Sequence, residues 1–195
     1  MRLSPVMHPV GLLITPTALA VALALALAPA PAMAQQAQTR EGFFFSAGLG
    51  YGSMGLGCDR CNDLDRQGGL SGYLTLGGAM SSNVLLGVEL DGWYTAADGA
   101  HREFSTLSAA VWLYPMAARG LFLKGGVGAS TIFGDYNALD QDIAAEVGLG
   151  LVVGAGYDVR IGGNTSLTPH LSYFRGSFDG GDANVFQAGL GIAFH

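Results

Sequence analysis

Hydrophobic residues alternate with small or polar residues along most of the chain after residue 42. The alternation has a period of two, which is the spacing of residues on one face of a β-strand, and no long stretch follows the 3.6-residue period of a helix. Eight segments show the pattern, each of a length typical of a membrane-spanning strand. They cover residues 43–52, 70–77, 84–94, 106–114, 121–130, 145–158, 167–173 and 186–194. The sequence therefore predicts an all-β protein with eight antiparallel strands.

The connections between these segments alternate in length. Residues 81–83, 117–120 and 160–164 are short turns, whereas residues 56–68, 95–103, 131–143 and 176–182 are longer and polar. Short turns at one end and long loops at the other indicate an up-and-down transmembrane β-barrel. Ten of the fifteen acidic residues lie in the longer connections: Asp59, Asp63, Asp65, Asp98, Glu103, Asp135, Asp140, Asp142, Asp179 and Asp182.

The two faces of the strands differ in chemistry. The apolar face carries no charged residue, as expected for a surface in contact with hydrocarbon, where a Lys or Arg at the membrane centre costs about 2–4 kcal/mol. The other face is mostly Gly, Ser, Thr and Ala, which suits the narrow interior of an eight-stranded barrel and predicts no continuous aqueous pore. Pro169 cannot donate a ladder hydrogen bond and predicts a bulge. Aromatic residues near the strand ends predict two interfacial belts; they are Phe43, Phe45, Tyr94, Tyr157, Tyr173, Phe186 and Phe194.

Residues 1–34 are expected to lie outside the fold. Arg2 is their one charged residue, residues 17–28 are an unbroken apolar run, and Ala32-Met33-Ala34 is a small-x-small cleavage sequence. This order is typical of a secretory signal peptide, and the apolar run is shorter than the roughly 20 residues of a spanning helix. We expect cleavage before Gln35 and a mature barrel domain of residues 35–195.

Composition supports an exported membrane protein. The chain is 50% hydrophobic and 12% charged, with 31 glycines and a formal net charge of −6. A soluble domain carries about 25% charged residues. The acidic balance gives no electrostatic basis for binding nucleic acid.

The chain resembles the small outer-membrane β-barrels of Gram-negative bacteria, the OmpA/OmpX-type eight-stranded proteins, from Glu41 to His195. The resemblance lies in GFFFSAGLGYG, YPMAARGLFLKGGVG, GLGLVVGAGYDVRIGGNTSLTPHLSYF and VFQAGLGIAF. It implies an outer-membrane location, contact with lipid and lipopolysaccharide, and a structural or surface-interaction role with the acidic loops facing a possible partner. The final strand resembles the signal read by the barrel-insertion machinery, although Phe194 is penultimate here. The residues of that signal are Phe186, Leu190, Ile192 and Phe194.

Cys58 and Cys61 form a C-x-x-C sequence in the first long connection. Export favours a local disulfide; free thiols, or a metal or redox site, are the alternatives. No second pair of ligands supports zinc, and no G-x-G run is completed to a dinucleotide motif. No metal or cofactor is therefore expected. A divalent cation bound by the loop aspartates is the alternative, although no spacing supports an EF-hand.

Several ionisable residues are expected to face the interior. We predict a charge network in which Lys124 bridges Glu89 or Asp91, with His170 nearby and Glu146 on the same face, because buried charges must pair or become neutral. Hydration by water inside the barrel is the alternative.

Two other functions remain open from the sequence. His170-Leu171-Ser172 resembles the His-x-Ser of outer-membrane lipid A deacylases, in which His activates a Ser nucleophile. The orienting acidic residue of those enzymes corresponds roughly to Asn184, and His170 and Ser172 are expected to face inward, so a non-enzymatic role is favoured. The second alternative is a narrow channel.

Overall fold

A computed structural model of the protein describes residues 40–57, 65–97, 100–136 and 141–195. The predicted signal peptide and the predicted Cys58–Cys61 disulfide lie outside these residues and stay predictions. Among the described residues, no helix is long and apolar enough to span a membrane. The strands are β1 (Phe43–Gly57), β2 (Gln67–Ser81), β3 (Val84–Ala97), β4 (Ala100–Leu113), β5 (Leu121–Tyr136), β6 (Gln141–Tyr157), β7 (Val159–Arg160), β8 (Thr165–Phe178) and β9 (Gly181–Phe194).

The strands form one antiparallel sheet that closes on itself. Sequential neighbours pair, β9 returns to β1, and β6 pairs with β8. The two-residue β7 continues β6 beyond Asp158 and also pairs with β8. The result is a closed eight-stranded barrel, which confirms the predicted fold class. Both chain ends of the barrel lie at one end, here called the terminal end, and the opposite end is called the loop end.

The register fixes the tilt of the strands. Tracing paired Cα positions once around the barrel from Ala47 ends at Gly57, ten residues further along β1. With about 3.3 Å per residue and about 4.8 Å between strands, this displacement corresponds to a tilt of about 40°. A 14-residue strand then rises about 35 Å along the barrel axis, more than the apolar band of about 25 Å. The strands therefore extend beyond the membrane.

This extension corrects the predicted loop lengths. The predicted long loop at residues 95–103 is instead a hairpin in which Thr95 pairs with Arg102, and only residues 98–99 separate β3 from β4. Likewise β8 and β9 are joined by Asp179 and Gly180 alone, rather than by residues 176–182. The sequence pattern underestimated the strands because alternation fades where both faces become polar outside the membrane.

The predicted bulge at Pro169 is also wrong. Pro169 pairs with Leu190 in an unbroken register along β8. The register shifts instead lie at Ala79/Ser81 between β2 and β3 and at Ile132/Gly134 between β5 and β6.

The outer wall of the barrel is apolar, as expected. Leu49, Leu149 and Leu171 are each more than 60% exposed. Among strand residues whose side chains are described, the outward-facing charges lie near the loop end, at Glu103, Arg175 and Asp182. The aromatic residues form two belts on this wall. Phe45 and Phe194 stack near the terminal end, with ring centroids 6.2 Å apart. Tyr173 and Phe186 contact each other towards the loop end at 4.7 Å.

Candidate functional site in the barrel interior

A buried ion cluster occupies the middle of the barrel interior. The Nζ of Lys124 on β5 is 2.5 Å from Oε1 of Glu89 and 3.9 Å from Oδ1 of Asp91, both on β3. Thr75 donates a 2.9 Å hydrogen bond to the other oxygen of Glu89. The three charged side chains are at most 3% exposed. Because little water reaches these side chains, the positive charge of the ammonium is needed to offset the cost of burying the two carboxylates.

The small neighbours of the cluster explain how Lys124 reaches β3 across β4. In the register Glu89 lies beside Ser108, and Ser108 lies beside Gly128. These residues add little volume to the interior, so the long lysine side chain can cross it. The sequence analysis predicted that Lys124 bridges Glu89 or Asp91.

His170 lies in the same layer but contacts other groups. Its Nε2 is 3.1 Å from Nε2 of Gln187, and its ring meets the Tyr73 ring edge-on at 4.6 Å. Tyr73 is hydrogen-bonded to Ser46 at 2.9 Å, and its ring centroid is 5.2 Å from Nζ of Lys124. His170 is thus joined to the ion cluster through Tyr73. These residues together are called the polar layer below.

Glu146 does not belong to this layer, and its predicted place in the charge network is wrong. Its carboxylate accepts a 2.9 Å hydrogen bond from the backbone N–H of Asp179 at the loop end. Lys124 pairs with Gly154 in the register, eight residues from Glu146 along β6. That separation is about 26 Å of strand, far beyond the reach of a lysine side chain. Alternation correctly gave the face of Glu146 but not its depth.

A second polar group closes the terminal end. Arg40, three residues before β1, places its guanidinium 3.5 Å from the centroid of the Tyr114 ring and donates to the carbonyls of Ala117 and Arg119 at 2.9 and 3.0 Å. Asp158 accepts hydrogen bonds from the Tyr114 hydroxyl at 2.9 Å and from Thr168 at 2.8 Å. The His195 ring lies 3.3 Å from the same carboxylate.

These contacts, with the rings of Phe44, Trp112 and Phe122 packed beside them, form the terminal-end plug. Burial raises the pKa of the Tyr114 hydroxyl well above its usual value, and the neighbouring Asp158 carboxylate adds to the shift. Burial also lowers the pKa of the Arg40 guanidinium, which the Tyr114 ring and Asp158 oppose. The sequence analysis assigned Arg40 and His195 no interior role, since both lie beyond the alternating strands. The only available signal was that each lies within three residues of a strand end.

The loop end of the interior is filled by apolar side chains rather than small polar ones. This loop-end plug comprises Met54, Trp93, Phe104, Val152, Phe174, Ala183 and Val185, with Leu56, Ile132 and Phe178 packed against it. Phe104 and Phe174 stack with centroids 5.5 Å apart and an interplanar angle of 7°. The indole N–H of Trp93 donates to the backbone carbonyl of Gly52 at 3.1 Å.

Glycines on the inner face make room for the rings of both plugs. A Cβ at Gly156 would lie 2.4 Å from Cζ of Phe122, and one at Gly176 would lie 2.9 Å from Cε2 of Phe104. The expectation of small interior residues was therefore correct for these positions but incomplete, because they are complementary to large rings on neighbouring strands. The cavity left between the polar layer and the terminal-end plug has a volume of about 20 Å³, room for about one water molecule.

The catalytic pair of the alternative deacylase function is buried in the interior. His170 and Ser172 face inward and are 5% and 4% exposed, and the imidazole contacts Gln187. Asn184 lies on the other face of β9, where its side chain accepts from Arg66. The three residues of the hypothetical deacylase site are thus split between the inside and the outside. The residues of the predicted insertion signal, by contrast, share the outer face, with exposures of 57% for Phe186 and Leu190, 45% for Ile192 and 44% for Phe194.

A closed barrel with an apolar wall, two aromatic belts and a filled interior defines an outer-membrane barrel of the smallest class. The outer membrane protein beta-barrel domain family matches residues 20–194, so the chain belongs to this family and is an outer-membrane protein. No curated protein sequence matches it.

Three solved structures are similar in fold at low sequence identity. Ail, the attachment invasion locus protein of Yersinia pestis, is 14% identical with a TM-score of 0.62, over 79% of this chain and 99% of that one. Neisserial surface protein A is 15% identical with a TM-score of 0.58, over 80% and 99%. The N-terminal barrel of Pseudomonas aeruginosa OprF is 16% identical with a TM-score of 0.51, over 80% and 98%.

Proposed function

We propose that this protein has a structural or surface-interaction role in the outer membrane, and acts neither as a channel nor as an enzyme. The observation that carries the proposal is the filling of the interior. From one end to the other it holds the terminal-end plug, the polar layer and the loop-end plug. What such a barrel offers to its surroundings is its outer wall and its two ends.

A conducting path would have to pass both plugs. Hydrated ions need a continuous chain of water, whereas the loop-end plug presents aromatic and aliphatic side chains that do not hydrate ions. The stacked Phe104 and Phe174 rings are both 0% exposed, and Trp93 beside them is 1% exposed. Opening the barrel would require moving several packed rings together.

A deacylase role would require the nucleophile to meet a lipid acyl ester. Ser172 and His170 lie within the sheet's interior layer, and the lipid-facing residue between them is Leu171, 64% exposed. Their geometry therefore favours a packing role over the activation of a nucleophile by a base.

The proposed orientation places both termini in the periplasm and the loop end outside the cell. The short turns then lie in the periplasm, as is usual for outer-membrane barrels. A similar barrel, Ail, has been solved in complex with the heparin analogue sucrose octasulfate, which supports the idea that a barrel of this size can serve as a binding surface. The proposed contact surface of this chain is its loop end, to which the acidic connections belong.

Planar-bilayer recordings test the plugged barrel. We expect no stable conductance steps from the purified mature protein. The matched control is the variant Trp93→Ala/Phe104→Ala/Phe174→Ala, which removes the rings of the loop-end plug and is expected to admit water and raise ion leak. Stable steps from the unmodified protein would refute the proposal.

A cellular experiment tests the surface role. A strain lacking the gene is complemented either with the full protein or with a variant whose residues 58–64 are replaced by a Gly-Ser linker of equal length. We expect both to restore outer-membrane resistance to bulky antibiotics, and only the full protein to restore attachment of cells to surfaces. If neither phenotype changes on deletion, the proposed role is wrong.

A further inference from the structure

We infer that the outer wall of the barrel carries a binding site for one phosphorylated lipid of the outer leaflet, with its acyl chain in a groove over β1, β9, β8 and β6 and its phosphate at Arg66. The groove has a volume of about 630 Å³, within the usual range of small-molecule pockets of about 300–1,000 Å³. Its lining combines rings with small residues and includes Tyr51, Ser53, Leu171, Tyr173, Phe186 and Ala188.

The shape of the groove follows from the register. Ala188 pairs with Tyr51 on one side and with Leu171 on the other, and Phe186 pairs with Tyr173. Small Ala188 is therefore a low point between larger side chains on both neighbouring strands. A linear hydrocarbon chain can lie in such a depression.

Arg66 lies at the loop end of this groove, held by neutral groups. Its Nε donates to Oγ of Ser53 at 3.1 Å, its Nη1 donates to Oδ1 of Asn184 at 2.7 Å, and its Nη2 donates to the backbone carbonyl of Ser53. The guanidinium carbon is 5.0 Å from the centroid of the Phe186 ring. Both Ser53 and Phe186 line the groove, so the cation lies directly beside the space that the acyl chain would fill.

The charge of Arg66 is not balanced by a carboxylate in the part of the chain that the structure describes. The second cation on this wall, Arg175, is partly neutralised by Asp182 at 3.3 Å. Arg66 is therefore oriented by neutral hydrogen bonds while its positive charge remains available. Among the described residues these contacts, with a 3.5 Å contact from Nη2 to the Asn184 carbonyl, leave one N–H of Nη1 without an acceptor. A phosphate that accepts from it forms a charge-assisted hydrogen bond.

The depth of the two elements matches a lipid. The groove lies in the apolar wall just inside the belt of Tyr173 and Phe186, where the acyl chains of the leaflet begin. Arg66 lies beyond Phe186 towards the loop end, at the level of headgroups, where a cation on a barrel wall costs about 0–1 kcal/mol. A ligand that is apolar below the belt and anionic above it satisfies both elements at once.

A second groove on the outer wall differs from the first in the charged residue at its loop end. It has a similar volume, about 540 Å³, and lies over β1, β2, β3 and β4. Its loop-end residues include Glu103 and Tyr94. An acyl chain fits there as well, but a phosphate would meet a carboxylate. This groove provides an internal control.

Native mass spectrometry of the purified mature protein in detergent micelles tests the inference. The probes are hexa-acyl lipid A with both phosphates, the same lipid without phosphates, and inorganic phosphate. We expect one diphosphorylated lipid A to bind, the dephosphorylated lipid to bind about tenfold more weakly, and millimolar inorganic phosphate not to displace the lipid. Tenfold is the scale expected for one hydrogen bond to a charged group.

Matched variants separate the two elements. Arg66→Gln is expected to weaken lipid A binding about tenfold, whereas Arg119→Gln, an exposed arginine at the terminal end, leaves it unchanged. Ala188→Trp fills the proposed groove and is expected to abolish binding, whereas Gly92→Trp fills the second groove and leaves binding unchanged. Heat-modifiable gel mobility confirms that each variant is folded.

The inference is overturned if Arg66→Gln and Arg119→Gln bind lipid A equally, if Ala188→Trp and Gly92→Trp do, or if removing the phosphates has no effect. Complete displacement by inorganic phosphate would overturn the role of the groove. In the cell the site rests on the proposed orientation, with the loop end outside. Binding in micelles does not depend on orientation or on the structural role, so the two proposals can fail separately.

Discussion

Removing the Lys124 ammonium is expected to destabilise the barrel strongly. In Lys124→Met, Glu89 and Asp91 stay where they are, at most 1% exposed, but lose the cation that faces both. Breaking a buried ion pair by removing one partner costs about 3–5 kcal/mol. Because Thr75 still donates to Glu89, most of the penalty falls on the uncompensated charge rather than on a lost hydrogen bond.

The cost can be measured as urea unfolding from phospholipid vesicles, followed by tryptophan fluorescence. The chain has two tryptophans, and both Trp93 and Trp112 are buried in the interior, so their emission reports on the loss of both plugs. With an m value of about 2 kcal/mol per molar urea, a loss of about 4 kcal/mol lowers the midpoint by about 2 M.

The control for Lys124→Met is the neutral variant Glu89→Gln/Asp91→Asn/Lys124→Met. It removes all three charges, and replacing a buried ion set by neutral groups of similar volume is often neutral or stabilising. We expect its midpoint to return close to that of the unmodified protein. The reasoning is refuted if Lys124→Met leaves the midpoint unchanged, or if the neutral variant is as unstable as the single one.

Two further predictions concern the burial of Lys124 and of Tyr114. Lys124 is the only lysine of the chain, and its side chain is 3% exposed. An amine-reactive ester is therefore expected to leave Lys124 unmodified in the folded barrel and to label it after heating in SDS. Equal labelling of Lys124 in both states would contradict its burial. Burial and the Asp158 carboxylate raise the pKa of the Tyr114 hydroxyl. Above the ordinary phenol pKa of about 10, the unfolded chain therefore loses a proton that the folded barrel keeps. The free energy of unfolding then falls as the pH rises. Tyr114→Phe is therefore expected to reduce the drop in urea midpoint between pH 9 and pH 11, and an unchanged drop would contradict the raised pKa of the buried phenol.

The barrel interior is filled by two kinds of side chain, aromatic rings and charged groups. An eight-stranded barrel is just wide enough for side chains to fill it, and here rings fill both ends while ions fill the middle. The apolar plugs exclude water, which makes any unpaired charge between them costly. Lys124 is the one cation between two buried carboxylates, and both oxygens of Asp91 lack a hydrogen-bond partner among the described residues, so this one lysine influences the stability of the whole barrel.

The alternation of the sequence was sufficient to assign the faces. A strand turns successive side chains to opposite sides, so a charge-free apolar set had to face lipid and the set containing Glu89, Asp91 and Lys124 had to face inward. The same local rule gave eight strands and the short turns. It could not give strand ends, because outside the membrane neither face needs to be apolar, and the hairpin that pairs Thr95 with Arg102 was therefore predicted as a loop.

The tertiary structure decided how deep each interior side chain lies along the barrel axis and which side chains contact one another. Residues far apart in sequence become neighbours only through the register and closure of the sheet, which placed Glu146 at the loop end and brought Arg40, Tyr114 and Asp158 together from three separate parts of the chain. The same closure set Phe104 on β4 against Phe174 on β8 and placed Arg66 beside Ser53 and Asn184. The sequence by itself determined which side of the wall each residue occupies, because that depends on a period of two along one strand. Which residues meet depends on how eight tilted strands are staggered around the barrel, a relation that no single strand contains.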